Sequence, residues 1–227
     1  MLPMQHSYDE SDIIILAKNP LFDGIYPSNE LLNSIFAKKT IFIKDEIVVH
    51  EGFDLHNLGI VLKGTATAYK TDLSGKSLVI AKLAEGNIFG GILSLGRSQK
   101  SPVSVAATSE LTVLLISTHS IVDGLGSKFD TNNRLLRNLL GIISKKYFEL
   151  HERINAIMRP TLREKILFYL DSCAKETGGN TFTIPFNRQA LAEYLNADRS
   201  ALSRELSKMK KEGLVDFCNE SFRLIKS

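Results

Sequence analysis

The amino-acid sequence predicts an α+β chain: an N-terminal antiparallel β-roll, one long helix, and a C-terminal helix-turn-helix closed by a hairpin. Three observations predict it. From about residue 40 to 118 polarity alternates, Val, Ile and Thr are frequent, and glycines punctuate the pattern. From about 131 the period becomes helical and holds a heptad seam. Between 187 and 214 two short helical patterns are separated by three or four residues. The chain of 227 residues suits two domains or one large one, and 44% hydrophobic content is ample for a core. The organisation expected is 1–130 for the β domain, 131–160 for the long helix and a hinge, and 161–227 for the helix-turn-helix domain.

Strand-length segments run over 40–43, 46–49, 58–62, 65–69, 78–83, 103–107 and 111–116, with Asp72-Leu73-Ser74-Gly75 as a turn. Many short strands at near-regular spacing point to a barrel or roll. Glycines 52, 64, 75, 86 and 90 are expected at its corners, where a positive φ or a close backbone approach excludes a side chain.

The long helix carries Leu136, Leu140, Ile143, Tyr147, Leu150, Ile154 and Ile157 at alternating spacings of four and three. Such a narrow apolar stripe suits a partner helix, and hence a twofold dimer, better than a sheet face; the alternative is a helix packed on its own β domain. Asn132 and Asn133 are candidate N-caps. Pro160 removes a backbone donor and places a hinge at Arg159-Pro160. A further helix over about 161–176 ends at Gly178 and Gly179.

In the helix-turn-helix, Arg188–Leu195 turns Leu191, Ala192 and Leu195 inward. Asn196-Ala197-Asp198 is the turn, with Asp198 as cap of the second helix. That helix, Arg199–Lys211, buries Leu202, Leu206 and Met209, and Ala192 and Ala201 allow a close crossing. Its other face holds Arg199, Arg204, Lys208, Lys210 and Lys211 against the single acidic Glu205. That local excess exceeds the +3 of the entire chain. The N-terminal part of such a helix enters the DNA major groove, so Arg199, Ser200, Ser203 and Arg204 are the expected base-reading residues. Asn187, Arg188, Gln189 and Lys208 are the expected phosphate contacts. Gly213 closes the helix, and a wing-like hairpin over 214–217 and 222–225 is expected to pack Phe217, Leu224 and Ile225 against the helices.

The bulk numbers set limits. A net charge of +3 excludes disorder driven by charge and says little about partners. Two cysteines, Cys173 and Cys218, exclude a disulfide framework and a cysteine-ligated cluster. The polar, acidic start does not read as a secretory signal, and no apolar run approaches the ~18 residues of a membrane span, so a cytoplasmic protein is expected.

On these residues the chain resembles the CRP/FNR (cyclic-AMP receptor protein / fumarate-nitrate regulator) family of bacterial transcription regulators, from about residue 25 to 225. The glycine series is similar to its β-roll, a cyclic-nucleotide-binding-like jelly roll. The seam resembles its long dimerisation helix. The "RQ-x-LA-x-YL … R-x-x-LSR-x-L … EGL" stretch resembles its winged helix-turn-helix. The resemblance implies a homodimeric, sequence-specific, effector-responsive regulator on a pseudo-palindromic operator in double-stranded DNA, acting on RNA polymerase. By it, Arg204 matches a guanine-reading arginine, Arg199 a base-reading position of the cyclic-AMP branch, and Ser203 a reading serine of the fumarate-nitrate branch. Ser200 departs from the glutamate common to both.

The resemblance also implies an effector pocket around Gly90, Gly91, Arg97, Ser101 and Phe148. Gly91 stands where a ribose-binding glutamate is expected, and Ser101-Pro102 where an Arg-Ser pair would hold a cyclic phosphate. A buried phosphate without its cation argues against cyclic AMP. Two distant cysteines argue against an iron–sulfur cluster. His50, His56, His119 and His151 qualify as haem ligands by type alone, so no cofactor is expected and the effector stays open. The competing reading is a small-molecule-binding β-roll that regulates a partner protein. The sequence lacks phosphate-loop, zinc-protease and hydrolase-elbow motifs, so an enzyme is not expected.

Overall fold

The computed structural model describes residues 7–72, 75, 77–90, 100–122 and 129–225. They form two units that divide between Ile143 and Ser144, inside the long helix.

The first unit opens with two helices absent from the sequence-based expectation. Helix α1 (Glu10–Ala17) starts at a capping box in which Asp9 accepts from the Asp12 amide and Asp12 reciprocates. Helix α2 (Asn29–Ser34) is capped by Ser28. Strands β1 (Lys38–Phe42), β2 (Ile47–Val49), β3 (Asn57–Lys63), β4 (Ala66–Thr71), β5 (Ser77–Leu83), β6 (Ile88–Phe89), β7 (Ser104–Ala107) and β8 (Leu111–Ser117) follow. They make two antiparallel four-stranded sheets, β1-β8-β3-β6 and β2-β7-β4-β5. Strands β3 and β8 are largely apolar along their middles because both faces are covered there. Leu58, Ile60, Leu62, Leu114 and Ile116 pack with α1 and α2, while Val61, Leu111 and Val113 point to the other sheet.

Glycines 52, 64, 75, 86 and 90 all take positive φ. At Gly64, with φ +85°, a Cβ would stand 2.1 Å from the Glu110 carbonyl oxygen. Backbone conformation and close approach therefore both exclude a side chain there.

After α3 (Thr118–Val122) comes the long helix α4 (Phe129–Ile157). It begins upstream of Asn132 and Asn133, so neither is its N-cap. Within the first unit, Leu135 and Leu139 are buried in the β domain's core, with Leu136 and Ile143 partly buried against it. Asn138 secures the packing by donating from Nδ2 to the carbonyls of Leu21 and Asp23, each at 2.9 Å. This half of the seam thus packs in part on its own domain, the alternative held open above. Beyond it, Leu140, Tyr147, Leu150 and Ile154 are exposed in the single chain, while Ile143 and Ile157 are partly covered.

The second unit contains the rest of α4, then α5 (Leu162–Thr177), β9 (Thr181–Thr183), α6 (Arg188–Tyr194), α7 (Arg199–Lys211), β10 (Val215–Cys218) and β11 (Ser221–Leu224). Thr161 and Glu164 form a capping box at α5, and Gly178 ends it in the left-handed region. The hairpin gains a third strand, in the order β10-β11-β9. Phe222 and Leu224 are buried, but Ile225 is 44% exposed, which corrects the expected packing. Residue alternation on β11 turns Phe222 and Leu224 inward, and Ile225 falls after the strand's end.

Candidate nucleic-acid interface

Helices α6 and α7 cross around Leu191, Ala192, Leu195, Leu202, Leu206 and Met209, all at 0% or 1% exposure. The turn closes through Asn196 at φ +50° and through the Ala197 amide donating to the Ala192 carbonyl at 2.9 Å. Asn tolerates this left-handed conformation better than most residues. Asp198 caps α7, accepting at Oδ1 from the Ala201 amide at 2.9 Å and from the Ser200 hydroxyl at 2.5 Å. These bonds, the hydroxyl's first, hold the Asp198 carboxyl below its ordinary pKa.

The same serine orients Arg204, an expected base reader. Arg204 Nη1 donates to Ser200 Oγ at 3.1 Å, which links Asp198, Ser200 and Arg204 in one chain along the outer face of α7. The Ser203 hydroxyl donates to the Arg199 carbonyl at 3.0 Å and the Ser207 hydroxyl to the Ser203 carbonyl at 2.9 Å. Both hydroxyls have rotational freedom to turn outward. An open groove of 390 Å³ runs along this face, lined by Ser203, Arg204, Ser207, Lys208 and Lys211.

Not every predicted contact faces this groove. Asn187 caps α6, accepting from the Ala190 amide at 2.9 Å, and Gln189 Nε2 donates to Glu193 Oε1 at 2.7 Å. The Arg188 guanidinium lies 4.7 Å over the Phe217 ring and 4.9 Å over Phe222. Its burial there lowers its pKa, so Arg188 joins the wing to α6 by cation–π packing. Lys210 also turns to the wing, pairing with Asp216 at 2.5 Å and donating to the Phe217 carbonyl at 3.3 Å. Arg199, Arg204, Lys208 and Lys211 are exposed.

The acidic residues of this segment are held elsewhere, and local spacing gave no sign of it. Arg163 on α5 donates from Nε to Glu205 Oε1 at 2.7 Å. Its other two nitrogens form a fork on Glu212, from Nη1 to Oε2 at 2.6 Å and from Nη2 to Oε1 at 3.1 Å. The arginine lies 42 and 49 residues from its partners in sequence.

The predicted effector residues gather less completely. Gly90 has φ +81°, and a Cβ there would stand 2.9 Å from the Asn57 carbonyl oxygen. Ser101 is 4% exposed, and its hydroxyl donates to the Val103 carbonyl at 2.6 Å. Gly91 and Arg97 lie outside the described residues. Phe148 belongs to the second unit, 63% exposed and edge-on to Tyr147 at 5.6 Å. His151 is exposed and stacks on Tyr147 at 6.1 Å. Cys173 is half-buried with its thiol pKa raised by burial, and Cys218 is exposed. Among the described residues no group of three His, Cys, Asp or Glu side chains could hold a metal ion. No helix among them is long and apolar enough to cross a membrane.

Two antiparallel sheets in a roll, a long helix and a winged helix-turn-helix with a basic outer face define a DNA-binding transcriptional regulator. Comparison with known proteins agrees. The family model of the cyclic nucleotide-binding domain matches residues 40–125, and that of the Crp-like helix-turn-helix domain matches 164–226. The chain is 22% identical over 199 residues to the cyclic AMP receptor protein of Thermus thermophilus, covering 87% of this chain and 88% of that one. It is 24% identical over 179 residues to the transcriptional activator FnrL of Cereibacter sphaeroides, covering 75% and 69%. The crystal structure of the Thermus thermophilus catabolite activator protein superposes with a TM-score of 0.50 at 19% identity, covering 91% and 94%. DNR from Pseudomonas aeruginosa gives 0.50 at 17%, covering 97% and 96%. The chain belongs to the CRP/FNR family of transcription regulators.

Proposed function

We propose that two copies of the chain pair through the open part of the α4 seam and present two α7 helices to successive major grooves of a pseudo-palindromic operator. Arg204 reads a base edge in each half-site, with Arg199, Ser200 and Ser203 beside it. Lys208 and Lys211 hold phosphates, and the start of α6 at Asn187 and Gln189 is a second phosphate contact outside the α7 groove. The observation that carries this reading is the outer face of α7: the exposed cations Arg204, Lys208 and Lys211 line one groove, with Arg199 exposed at the helix start, while Glu205 and Glu212 are paired with Arg163. A bidentate arginine–guanine pair gives about 1–3 kcal/mol of discrimination against a wrong base. The protein works in the cytoplasm on RNA polymerase, and the β domain receives a signal that biases α4.

That signal is neither cyclic AMP nor an iron–sulfur cluster. Support comes from Ser101, whose hydroxyl is already engaged with Val103, and from Pro102, which offers no amide to a phosphate. Selection of binding sites from random duplex DNA, followed by binding of labelled winners, tests the main reading. An enriched inverted repeat supports it; retention of DNA without any sequence preference contradicts it.

A further inference from the structure

We propose that Arg163 is a positioning residue for DNA binding: by clamping Glu205 and Glu212 on the flank of α7, it keeps Lys208 free to hold a phosphate. The proposal rests on the reading of α7 as the DNA-facing helix and adds a component outside the helix-turn-helix.

The geometry is that of a three-pronged clamp. One guanidinium uses Nε, Nη1 and Nη2 on two carboxylates, at 2.7, 2.6 and 3.1 Å. Planar guanidinium and planar carboxylate match bidentately, which lysine cannot reproduce. Arg163 sits one residue inside α5, whose own start is fixed by the Thr161–Glu164 box, so the clamp is anchored to a capped helix.

The consequence follows from spacing. Glu212 lies four residues after Lys208, where a carboxylate and an ammonium meet on a helix surface; its pKa is lowered first by the Arg163 hydrogen bond and in smaller part by the charge of Lys208. Released from Arg163, Glu212 would turn to Lys208 and compete with DNA phosphate for it. Glu205 would likewise lose its partner immediately beside Arg204. The clamp thus holds the two flanking carboxylates away from the basic groove, which the helix's own sequence does not achieve.

The test uses the full-length protein and the operator selected by the wild type, with affinity measured across salt concentrations. Arg163→Gln is expected to weaken binding roughly tenfold, and the slope of log affinity against log salt should become shallower by about one phosphate contact. The triple variant Arg163→Gln/Glu205→Gln/Glu212→Gln cannot re-form the ion pairs but has nothing left to capture Lys208. Recovery of wild-type slope and affinity in it supports charge separation. A triple variant that folds, by circular dichroism and melting, yet binds as weakly as Arg163→Gln overturns the proposal in favour of a scaffold role. An unchanged slope and affinity in Arg163→Gln also overturns it while leaving the assignment of α7 intact. A wild-type protein that selects no operator would instead remove the reading on which the proposal rests.

Discussion

Arg153 on α4 donates from Nε to the Tyr194 carbonyl at 3.2 Å, with its guanidinium 5.4 Å over the ring of the same tyrosine. A second nitrogen donates to the Glu193 carbonyl at 3.3 Å. These are the last carbonyls of α6, where the helix leaves acceptors unpaired and the dipole favours a cation. The later part of α4 is joined to the DNA-binding domain at other points as well. Ala156 lies in its core and Ser172 donates to Glu152 at 2.9 Å; just past the helix, Arg159 stacks 4.6 Å over Phe168. The exposed residues Leu150 and Ile154 lie beside Arg153, so the proposed dimer surface and helices α6 and α7 belong to one unit. Replacing Arg153 by Ala is expected to cost about 1 kcal/mol or less of stability. It should speed amide exchange at 195–197 and flatten the preference for one half-site spacing, which binding to operators with altered spacers would show.

Arg204→Ala should abolish base discrimination at one position of each half-site while leaving weak, salt-dependent binding, because phosphate contacts supply most non-specific affinity. Ser200→Ala removes the hydroxyl that steadies Arg204 and should give a smaller loss of the same kind. Competition between the selected operator and its single-base variants measures both.

The Asp198 carboxyl has its pKa lowered in the folded state. A lowered carboxyl pKa gives stability that is complete above the unfolded value, near 3.9 for Asp, and is lost as pH falls through the folded value. Asp198→Asn keeps a capping oxygen but does not titrate. Melting of the two proteins should therefore show parallel curves near neutrality, and a steeper acid loss below about pH 4 in the wild type.

Arg188→Met replaces a stacked guanidinium by an apolar side chain that can still cover Phe217 and Phe222. If Arg188 serves the wing, the salt slope of DNA binding is unchanged and the melting temperature moves by a few degrees at most. A slope shallower by about one would instead assign it a phosphate.

Gly64→Ala should destabilise the β domain by about 1–3 kcal/mol, since φ is positive and the new methyl meets a carbonyl oxygen. Chemical denaturation reads this directly.

The longer strands, α4, α5, α6 and α7 were legible because each carries its own period or cap. The two-residue β6 and three-residue β9 were not, since such segments are too short to show alternation and exist only through pairing with β3 and β11. Helix α1 was missed because its apolar run Ile13–Ala17 lacks an amphipathic period, although the Asp9–Asp12 box preceded it. The seam has one uniform period in the sequence, yet Leu136 and Ile143 are partly buried against the chain's own core and Leu140 is exposed. At the candidate interface, the placement of Arg199, Ser200, Ser203 and Arg204 on α7 follows from the helix period. The contacts of Arg163 and Arg188 lie across the fold, which charge counting along one helix cannot resolve.

The central claim is that α7 reads DNA through Arg204. It is tested most directly by selecting duplexes from a random pool with the wild-type protein and with Arg204→Ala in parallel. The account expects the wild type to enrich an inverted repeat whose half-sites lie about one helical turn, 34–36 Å, apart, and the variant to lose one defined base preference in each half. Identical enriched sequences from the two proteins would contradict it.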